Sequence, residues 1–197
     1  MKQVGILTSS RTHLPSAEYL LRSLTAPSEL PSDRLKAQME RTLADVKNAV
    51  RCKCCYLTVD IVSISDDCVD LGLLKLQSRD LARRLSGSKR AVVFAATLGA
   101  GIDRLIAKSA VLRPAEAYIT DAIGLFAIED WCDEIERLIC PEGEHTDRYS
   151  PGYGDLSISV QKQIIQLLSA PTKIGLALSE SLLMIPSKSV TAIFGIK

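Results

Sequence analysis

The stretch DRYSPGYGDLSISVQKQIIQLL, Asp147 to Leu168, places a compact turn directly before an apolar run that is typical of a helix. In this turn, Arg148 could pair bidentately with a carboxylate, and Tyr153 offers a flat ring with a hydroxyl at its tip. Gly152 and Gly154 would let a ligand approach the main chain closely. The turn therefore suits a ligand with a carboxylate and a flat part, although a structural turn with Arg148 on the surface explains the same residues.

The residues after the turn predict one helix and two strands. The helix runs from about 157 to 169 and ends before Pro171. The runs SLLMIP (181–186) and SVTAIFGI (189–196) have the length and composition of strands. Because only a short polar segment joins them, we predict that these two strands form a hairpin.

Upstream of the turn, helical and extended patterns alternate without a regular βαβ rhythm. Apolar residues recur at spacings of three and four in the helical segments, and β-branched or continuous apolar runs mark the strands. This order favours an α+β fold with a partly antiparallel sheet. The predicted segments are helices at 15–24, 28–50, 100–112 and 114–138, strands at 55–65 and 91–99, and a strand end leading into a helix at 73–87.

Composition limits the classes of protein. The chain has 197 residues, of which 47% are hydrophobic, and its net charge is +1. That charge gives no indication of nucleic-acid binding, and no apolar run is long enough for a transmembrane helix. The apolar patch of the first ten residues is too short for a secretory signal, so we expect a cytoplasmic protein. A Pro- and Ser-containing stretch at 25–33 suggests a linker, which would separate an N-terminal helical segment (1–30) from an α+β domain (31–197).

Three of the six cysteines lie close together, at Cys52, Cys54 and Cys55. A Cys-x-Cys-Cys group could bind a metal, but the two Cys-x-x-Cys pairs of familiar zinc sites are missing. In a reducing cytoplasm we expect free thiols. The alternative to a metal site is a set of small residues where a helix gives way to a strand.

Signals for catalysis are weak elsewhere in the chain. The segment TLGAG (97–101) could cradle a phosphate, but it lacks the P-loop ending and is better explained as a tight turn. There is no Gly-x-Ser-x-Gly element, and the two histidines are poorly placed to activate a nucleophile. The acidic residues of the long helix mostly fit a solvated face. We therefore expect no catalytic residue of the protein's own.

Two motifs resemble one known family. The run RYSPGYGD resembles the Arg-x-x-Pro-Gly-Tyr motif of the activation (reactivation) domain of cobalamin-dependent methionine synthase. The run LSESLLMIPSKSV (178–190) is similar to that family's Leu-Thr-Glu-Ser-x-x-Met-x-Pro-x-x-Ser-Val segment. The second follows the first at the expected spacing, and the match is closer to small stand-alone members than to the domain fused within long methionine synthases.

The resemblance implies an α+β fold with a bent, mainly antiparallel sheet flanked by helices. It also implies binding of S-adenosylmethionine, which this domain presents to cob(II)alamin while an electron arrives from flavodoxin or a similar donor. Cobalamin itself would be held by a partner chain, either a cobalamin-binding methionine synthase or another corrinoid protein. The chain would then be an accessory part of a methyltransferase, with little activity alone.

Residue by residue, the resemblance implies that Arg148 meets the ligand carboxylate. The main chain at Ser150 and Gly152 would also contact S-adenosylmethionine, whereas Tyr153 and Gly154 would face the corrin. These five positions lie within one turn. No metal ligand is implied by the motifs.

The partner of the ligand's ammonium group is less closely defined. Glu129 of the long helix is the candidate, with Asp130 or Asp133 as alternatives. Two other hypotheses remain open. A non-catalytic docking partner of a corrinoid protein would account for the unmatched N-terminal Asp and later Tyr of long family members, and a thiol redox or metal protein would use the cysteine group.

Overall fold

A computed structural model describes residues 3–9, 14–24, 32–141 and 143–197 of the chain. In these ranges the strands are β1 (Gly5–Ser9), β2 (Cys52–Asp60), β3 (Ser63–Ile64), β4 (Cys68–Asp70), β5 (Lys75–Gln77), β6 (Arg90–Thr97), β7 (Ala177–Leu178), β8 (Met184–Ile185) and β9 (Ser189–Ile196). The helices are α1 (Ala17–Leu24), α2 (Asp33–Ala49), α3 (Arg79–Leu85), α4 (Gly101–Ala110), α5 (Pro114–Ile139), α6 (Val160–Leu168) and α7 (Ala170–Ile174).

The central sheet is antiparallel throughout, with the strand order β1-β2-β6-β9. β6 lies inside this sheet because its sequence, RAVVFAAT, is buried on both faces after Arg90. Two smaller sheets, β3-β4-β5 and β7-β8, are also antiparallel. The predicted α+β class, with antiparallel strands flanked by helices, is confirmed.

Helices cover both faces of the central sheet because successive strand residues point to opposite sides. On one side, Cys54 and Phe94 pack in a core with residues of α1, α2, α4 and α5. On the other side, Cys55 and Leu57 pack with residues of α3, α6 and α7. Trp131 fixes α5 to β2, since its buried indole donates a hydrogen bond to a β2 carbonyl at 3.3 Å. This packing holds the acidic side of α5 beside the β9 edge of the sheet.

The helix boundaries follow local signals. Pro114 occupies the first turn of α5, where its missing N–H leaves no bond unmade. The helix was predicted to end near 138, and it ends at Ile139. Ser32 caps α2, its hydroxyl accepting a hydrogen bond from the Leu35 N–H at 3.2 Å; the predicted start of this helix at 28 lies outside the described residues. In the described part of the chain, no helix has both the length and the apolar character needed to cross a membrane.

The predicted hairpin between SLLMIP and SVTAIFGI is wrong. β9 pairs with β6 along its whole length, from Ser189 opposite Thr97 to Ile196 opposite Arg90, whereas β8 pairs with β7. The buried residues of β9 belong to the cores on both faces of the sheet, which suits a long strand beside β6. β8 has only two residues, and its Ile185 is exposed. It therefore forms only the short two-stranded ladder with β7.

The N-terminal part contains a strand as well as the predicted helix. β1 was not predicted because its apolar patch is short, yet it pairs with β2 at the sheet edge. The helix predicted at 15–24 is α1, and it buries Leu20 and Leu21 in the core. The strand predicted at 55–65 begins earlier, at Cys52, so the cysteine group lies in β2, directly after α2 ends at Ala49. The division at residue 30 stays a prediction.

Candidate functional site

The turn that follows residue 147 is attached to the outer edge of β9. Tyr149 and Ile193 exchange two main-chain hydrogen bonds, of 2.8 Å and 3.0 Å. Before them, the Thr146 N–H donates to the Gly195 carbonyl at 3.0 Å, and the Gly195 N–H donates to the Thr146 hydroxyl at 2.9 Å. Pro151 lacks the N–H needed to continue this ladder. The turn therefore leaves the sheet after Tyr149 and projects from its edge.

Two glycines give the turn its shape. Gly152 has φ +95° and Gly154 has φ +49°, both in the region that disfavours side chains. The Gly152 N–H donates to the Leu156 carbonyl at 2.8 Å, and the Leu156 N–H donates to the Tyr153 carbonyl at 3.0 Å. The closed loop leaves the Tyr153 side chain exposed to solvent.

Asp155 ties the far end of the turn to the start of α3. Its carboxylate accepts hydrogen bonds from the Ser78 hydroxyl and from the Arg79 N–H, the latter at 2.7 Å. The Ser78 hydroxyl also accepts from the Leu81 N–H at 3.0 Å, so the same residue caps α3. The hydrogen bond from Ser78, followed by those from main-chain N–H groups, lowers the pKa of Asp155.

Replacing Asp155 with asparagine is expected to lower the melting temperature at neutral pH and to matter much less in acid. Because the folded-state pKa lies below the unfolded value of about 3.9, the stabilisation is present above that value and is lost as the pH falls through the folded pKa. Thermal unfolding of both proteins between pH 7 and pH 2 measures this difference. A melting-temperature difference that is the same at every pH would contradict the assignment. Asp33→Asn, at an exposed carboxylate of α2, is the matched control.

Tyr149 provides a second attachment between the turn and α3. Its hydroxyl lies 3.0 Å from the Tyr153 carbonyl and 3.3 Å from an Asp80 carboxylate oxygen. The Arg84 guanidinium lies over the Tyr149 ring, 4.9 Å from its centroid. Asp80 and Arg84 of α3 thus hold the Tyr149 side chain, and the Tyr149 hydroxyl contacts the main chain of the turn.

Arg148 points to the other side of the sheet and reaches α5. Its guanidinium donates to Glu129 at 2.6 Å, to Asp133 at 2.6 Å and to Glu136 at 3.0 Å. Glu129 and Asp133 are half-exposed or more, with 60% and 54% of the side chain accessible, whereas Glu136 is only 10% accessible. Glu136 is therefore the buried anchor of the group, and Glu129 and Asp133 are its solvent-facing members.

The electrostatic balance of this cluster is negative, since one guanidinium faces three carboxylates. Burial alone would lower the pKa of Arg148, but the hydrogen bonds to Glu129, Asp133 and Glu136 outweigh it and raise the pKa above its ordinary value. The guanidinium stays charged at all physiological pH values. An incoming carboxylate must therefore compete with acids that are already in place.

A groove of about 400 Å³ runs along the edge of β9, between the turn and α5 on one side and the β7–β8 ladder and α6 on the other. This volume is typical of small-molecule sites. The lining residues are Arg84, Glu129, Arg148, Tyr149, Ser150, Pro151, Tyr153, Ile158, Gln161, Met184, Ser189, Val190 and Thr191.

The groove brings together four of the residues singled out from the sequence, namely Glu129, Arg148, Ser150 and Tyr153. Gly152 and Gly154 are not among its lining residues and act on the shape of the turn instead. Of the alternative acids, Asp133 contacts Arg148 but does not line the groove.

Sequence reasoning missed three residues of this region. Glu136 follows Glu129 and Asp133 at spacings that place all three on one helix face, so a signal was available. Gln161 and Thr191 lie within an amphipathic helix and an apolar strand, and their local patterns give no reason to single them out.

The cysteine group does not form a shared site. Cys52 and Cys54 face one core while Cys55 faces the other, because neighbouring strand residues alternate. Burial raises the pKa of Cys52 to about 12 and that of Cys55 to about 11, so these thiols are protonated at neutral pH. Among the described residues, no group of three or more His, Cys, Asp or Glu is arranged to hold a metal ion.

A larger and more open depression, of about 660 Å³, lies at the opposite edge of the sheet near β1 and Tyr56. It is lined by none of the residues that the two sequence motifs contain. We therefore place the candidate site in the smaller groove at β9, where the motifs meet.

Neither a family model nor a curated protein sequence matches this chain. Among solved structures, a crystal structure of the MetH reactivation domain bound to AdoHcy is similar to it, with a TM-score of 0.67. The similarity covers 98% of this chain and 78% of that one, at 15% sequence identity. The two chains therefore share a fold.

Proposed function

We propose that this chain is a stand-alone reactivation module, which binds S-adenosylmethionine in the β9 groove and supports reductive methylation of cob(II)alamin on a partner methionine synthase. The observation that carries the proposal is that two sequence motifs of the reactivation family meet at one groove, in a chain with that domain's fold. Binding of AdoHcy by the MetH reactivation domain supports the choice of ligand, since AdoHcy is what S-adenosylmethionine becomes after losing its methyl group.

The pair formed by Arg148 and Glu129 suits the amino-acid end of this ligand. Their 2.6 Å contact presents one cation and one anion side by side on the groove wall. A ligand with both a carboxylate and an ammonium group can enter by exchange, its carboxylate replacing Glu129 on the guanidinium and its ammonium replacing the guanidinium on Glu129. One ion pair, Arg148–Glu129, is then replaced by two, while Glu136 keeps Arg148 in place.

The chemistry requires positioning rather than a nucleophile. The sulfonium methyl group is already activated, and a partner's cobalamin, reduced by a donor such as flavodoxin, supplies the reacting metal. This chain's residues would bind the ligand, orient its methyl group outward and present a surface to the corrin. Tyr153 lines the groove and is exposed, and Leu183 and Ile185, on either side of the lining residue Met184, are exposed as well, so these side chains suit that surface.

Calorimetry with S-adenosylmethionine and S-adenosylhomocysteine tests the proposal directly. Wild-type protein is expected to bind both ligands. Glu129→Gln is expected to weaken binding by about tenfold or more, because a hydrogen bond to a charged group contributes about 1.5–3 kcal/mol. The matched control is Glu134→Gln on the same helix, where the acid pairs with Arg137 and lies outside the groove. Wild-type protein that binds neither ligand would refute the proposal.

One observation favours a second candidate, a non-catalytic docking partner of a corrinoid protein. The guanidinium of Arg148 already has three acidic partners within the protein, so the cluster is complete without a ligand. Under this alternative, a cobalamin-loaded methionine synthase lacking its own reactivation domain would bind the chain with the same affinity whether or not S-adenosylmethionine is present. The thiol-based hypothesis is not supported, because the cysteine group is divided between two cores.

A further inference from the structure

Thr191 is a buried polar residue that borders the groove. It lies in β9 opposite Ala95, is only 1% exposed and lines the groove wall. In the described part of the chain, its hydroxyl has no hydrogen-bond partner. Buried hydroxyls are almost always hydrogen-bonded, so one that borders a groove indicates a missing external partner.

The main chain of Thr191 supports the same conclusion. The N–H and C=O groups of Ile193 and Gly195 point away from β6, toward the segment 145–149. Main-chain groups point to opposite sides at successive residues of an antiparallel strand. Thr191 lies two residues before Ile193, so its main-chain groups also point away from β6. The chain has left the sheet at this position, and no main-chain hydrogen bond on that side is made to Thr191 by the described residues. Thr191 therefore offers a donor and an acceptor from its main chain as well as its hydroxyl.

The surroundings of Thr191 suit a flat ring. Its side chain lies on the α6 face of the sheet, the face opposite to the α5 acids that hold Arg148. Ile158 and Met184 supply apolar walls there. Gln161, which is buried, donates to the Leu182 carbonyl at 2.6 Å and fixes the wall formed by the β7–β8 ladder.

We propose that Thr191 is the specificity-determining contact for the adenine base of the ligand, with its hydroxyl and main-chain groups meeting the polar edge of the ring. This inference rests on the proposed function, since it assigns the nucleoside half of a ligand whose amino-acid half lies at Arg148 and Glu129. Adenine carries an amino donor beside a ring-nitrogen acceptor, and a strand edge with one C=O and one N–H is complementary to that pattern.

Thr191→Val tests the hydroxyl, because valine keeps the size and branching of threonine. Calorimetry with S-adenosylhomocysteine is expected to give about tenfold weaker binding for Thr191→Val. Thr191→Ser, which keeps the hydroxyl, is expected to remain within about threefold of wild type. The melting temperature of ligand-free Thr191→Val should be unchanged or higher, because valine removes a hydroxyl that has no partner within the protein.

The ligand can be varied as well as the protein. S-inosylhomocysteine carries a carbonyl in place of the adenine amino group, and wild-type protein is expected to bind it at least tenfold more weakly than S-adenosylhomocysteine. Equal affinity for the two compounds, unchanged binding in Thr191→Val, or a lower melting temperature of that ligand-free variant would each overturn the assignment of Thr191. None of these results affects the proposed function, which fails only if wild-type protein binds neither S-adenosylhomocysteine nor S-adenosylmethionine.

Discussion

Replacing Arg148 with methionine is expected to destabilise the protein by about 3 kcal/mol and to abolish ligand binding. Methionine retains much of the apolar stem but leaves Glu129, Asp133 and Glu136 without their shared cation. The largest part of the loss comes from Glu136, because a buried carboxylate without a partner is strongly unfavourable. Urea unfolding at pH 7 measures the loss of stability.

A second substitution identifies the source of that loss. If the unpaired charge of Glu136 is responsible, the double variant Arg148→Met, Glu136→Gln should regain at least about 1 kcal/mol relative to Arg148→Met. Ligand binding should remain absent, because the guanidinium is still missing. Recovery of binding in the double variant would contradict the role given to Arg148.

Arg137→Met is the matched control for stability. Arg137 lies on α5 and pairs with Glu134 at 2.8 Å, but this pair is largely exposed. Exposed pairs contribute little, so the control should lose no more than about 0.5 kcal/mol. Equal losses in the Arg137 and Arg148 variants would show that the cluster around Arg148 has no special importance for folding.

The parts of the fold that sequence predicted well are those with strong local signals. The long helix begins at Pro114 because a proline is suited to a first helical turn, and β6 was evident as a continuous apolar run. The pairing of β9 was not evident, because neighbouring apolar runs suggest a local hairpin while the register with β6 depends on burial across two cores. Strand pairing at long range is a tertiary property that a single sequence does not display.

The candidate site likewise contains residues that the sequence could predict and residues that it could not. The turn residues and Arg148 could be singled out because arginine, glycine and tyrosine in one turn carry recognisable chemistry. That Arg148 pairs with Glu129 depends on how α5 packs against the sheet. Thr191 was missed because a threonine in an apolar strand is ordinary, and only its unpartnered hydroxyl beside a groove makes it informative.

Gly154→Ala is expected to destabilise the protein by about 3 kcal/mol, through two effects that can be separated. At φ +49°, a side chain costs about 1 kcal/mol or slightly more. In addition, a Cβ at this position would overlap the Asp80 carboxylate and the Tyr149 hydroxyl, and such crowding costs about 1–3 kcal/mol. Urea unfolding of the variant gives the sum of both effects.

Gly87→Ala separates the cost of the positive φ from the cost of crowding. This glycine has φ +80° but no heavy atom within 4 Å of the position its Cβ would take. It should lose only the conformational part, about 1 kcal/mol, and should bind S-adenosylhomocysteine like wild type. Gly154→Ala should also weaken ligand binding, because Asp80 and Tyr149 hold the turn that carries Tyr153. Equal losses of stability in Gly154→Ala and Gly87→Ala would mean that Asp80 and Tyr149 can move away from an added Cβ at no cost in free energy. The turn would then be a flexible loop, and its glycines would be needed for backbone conformation alone.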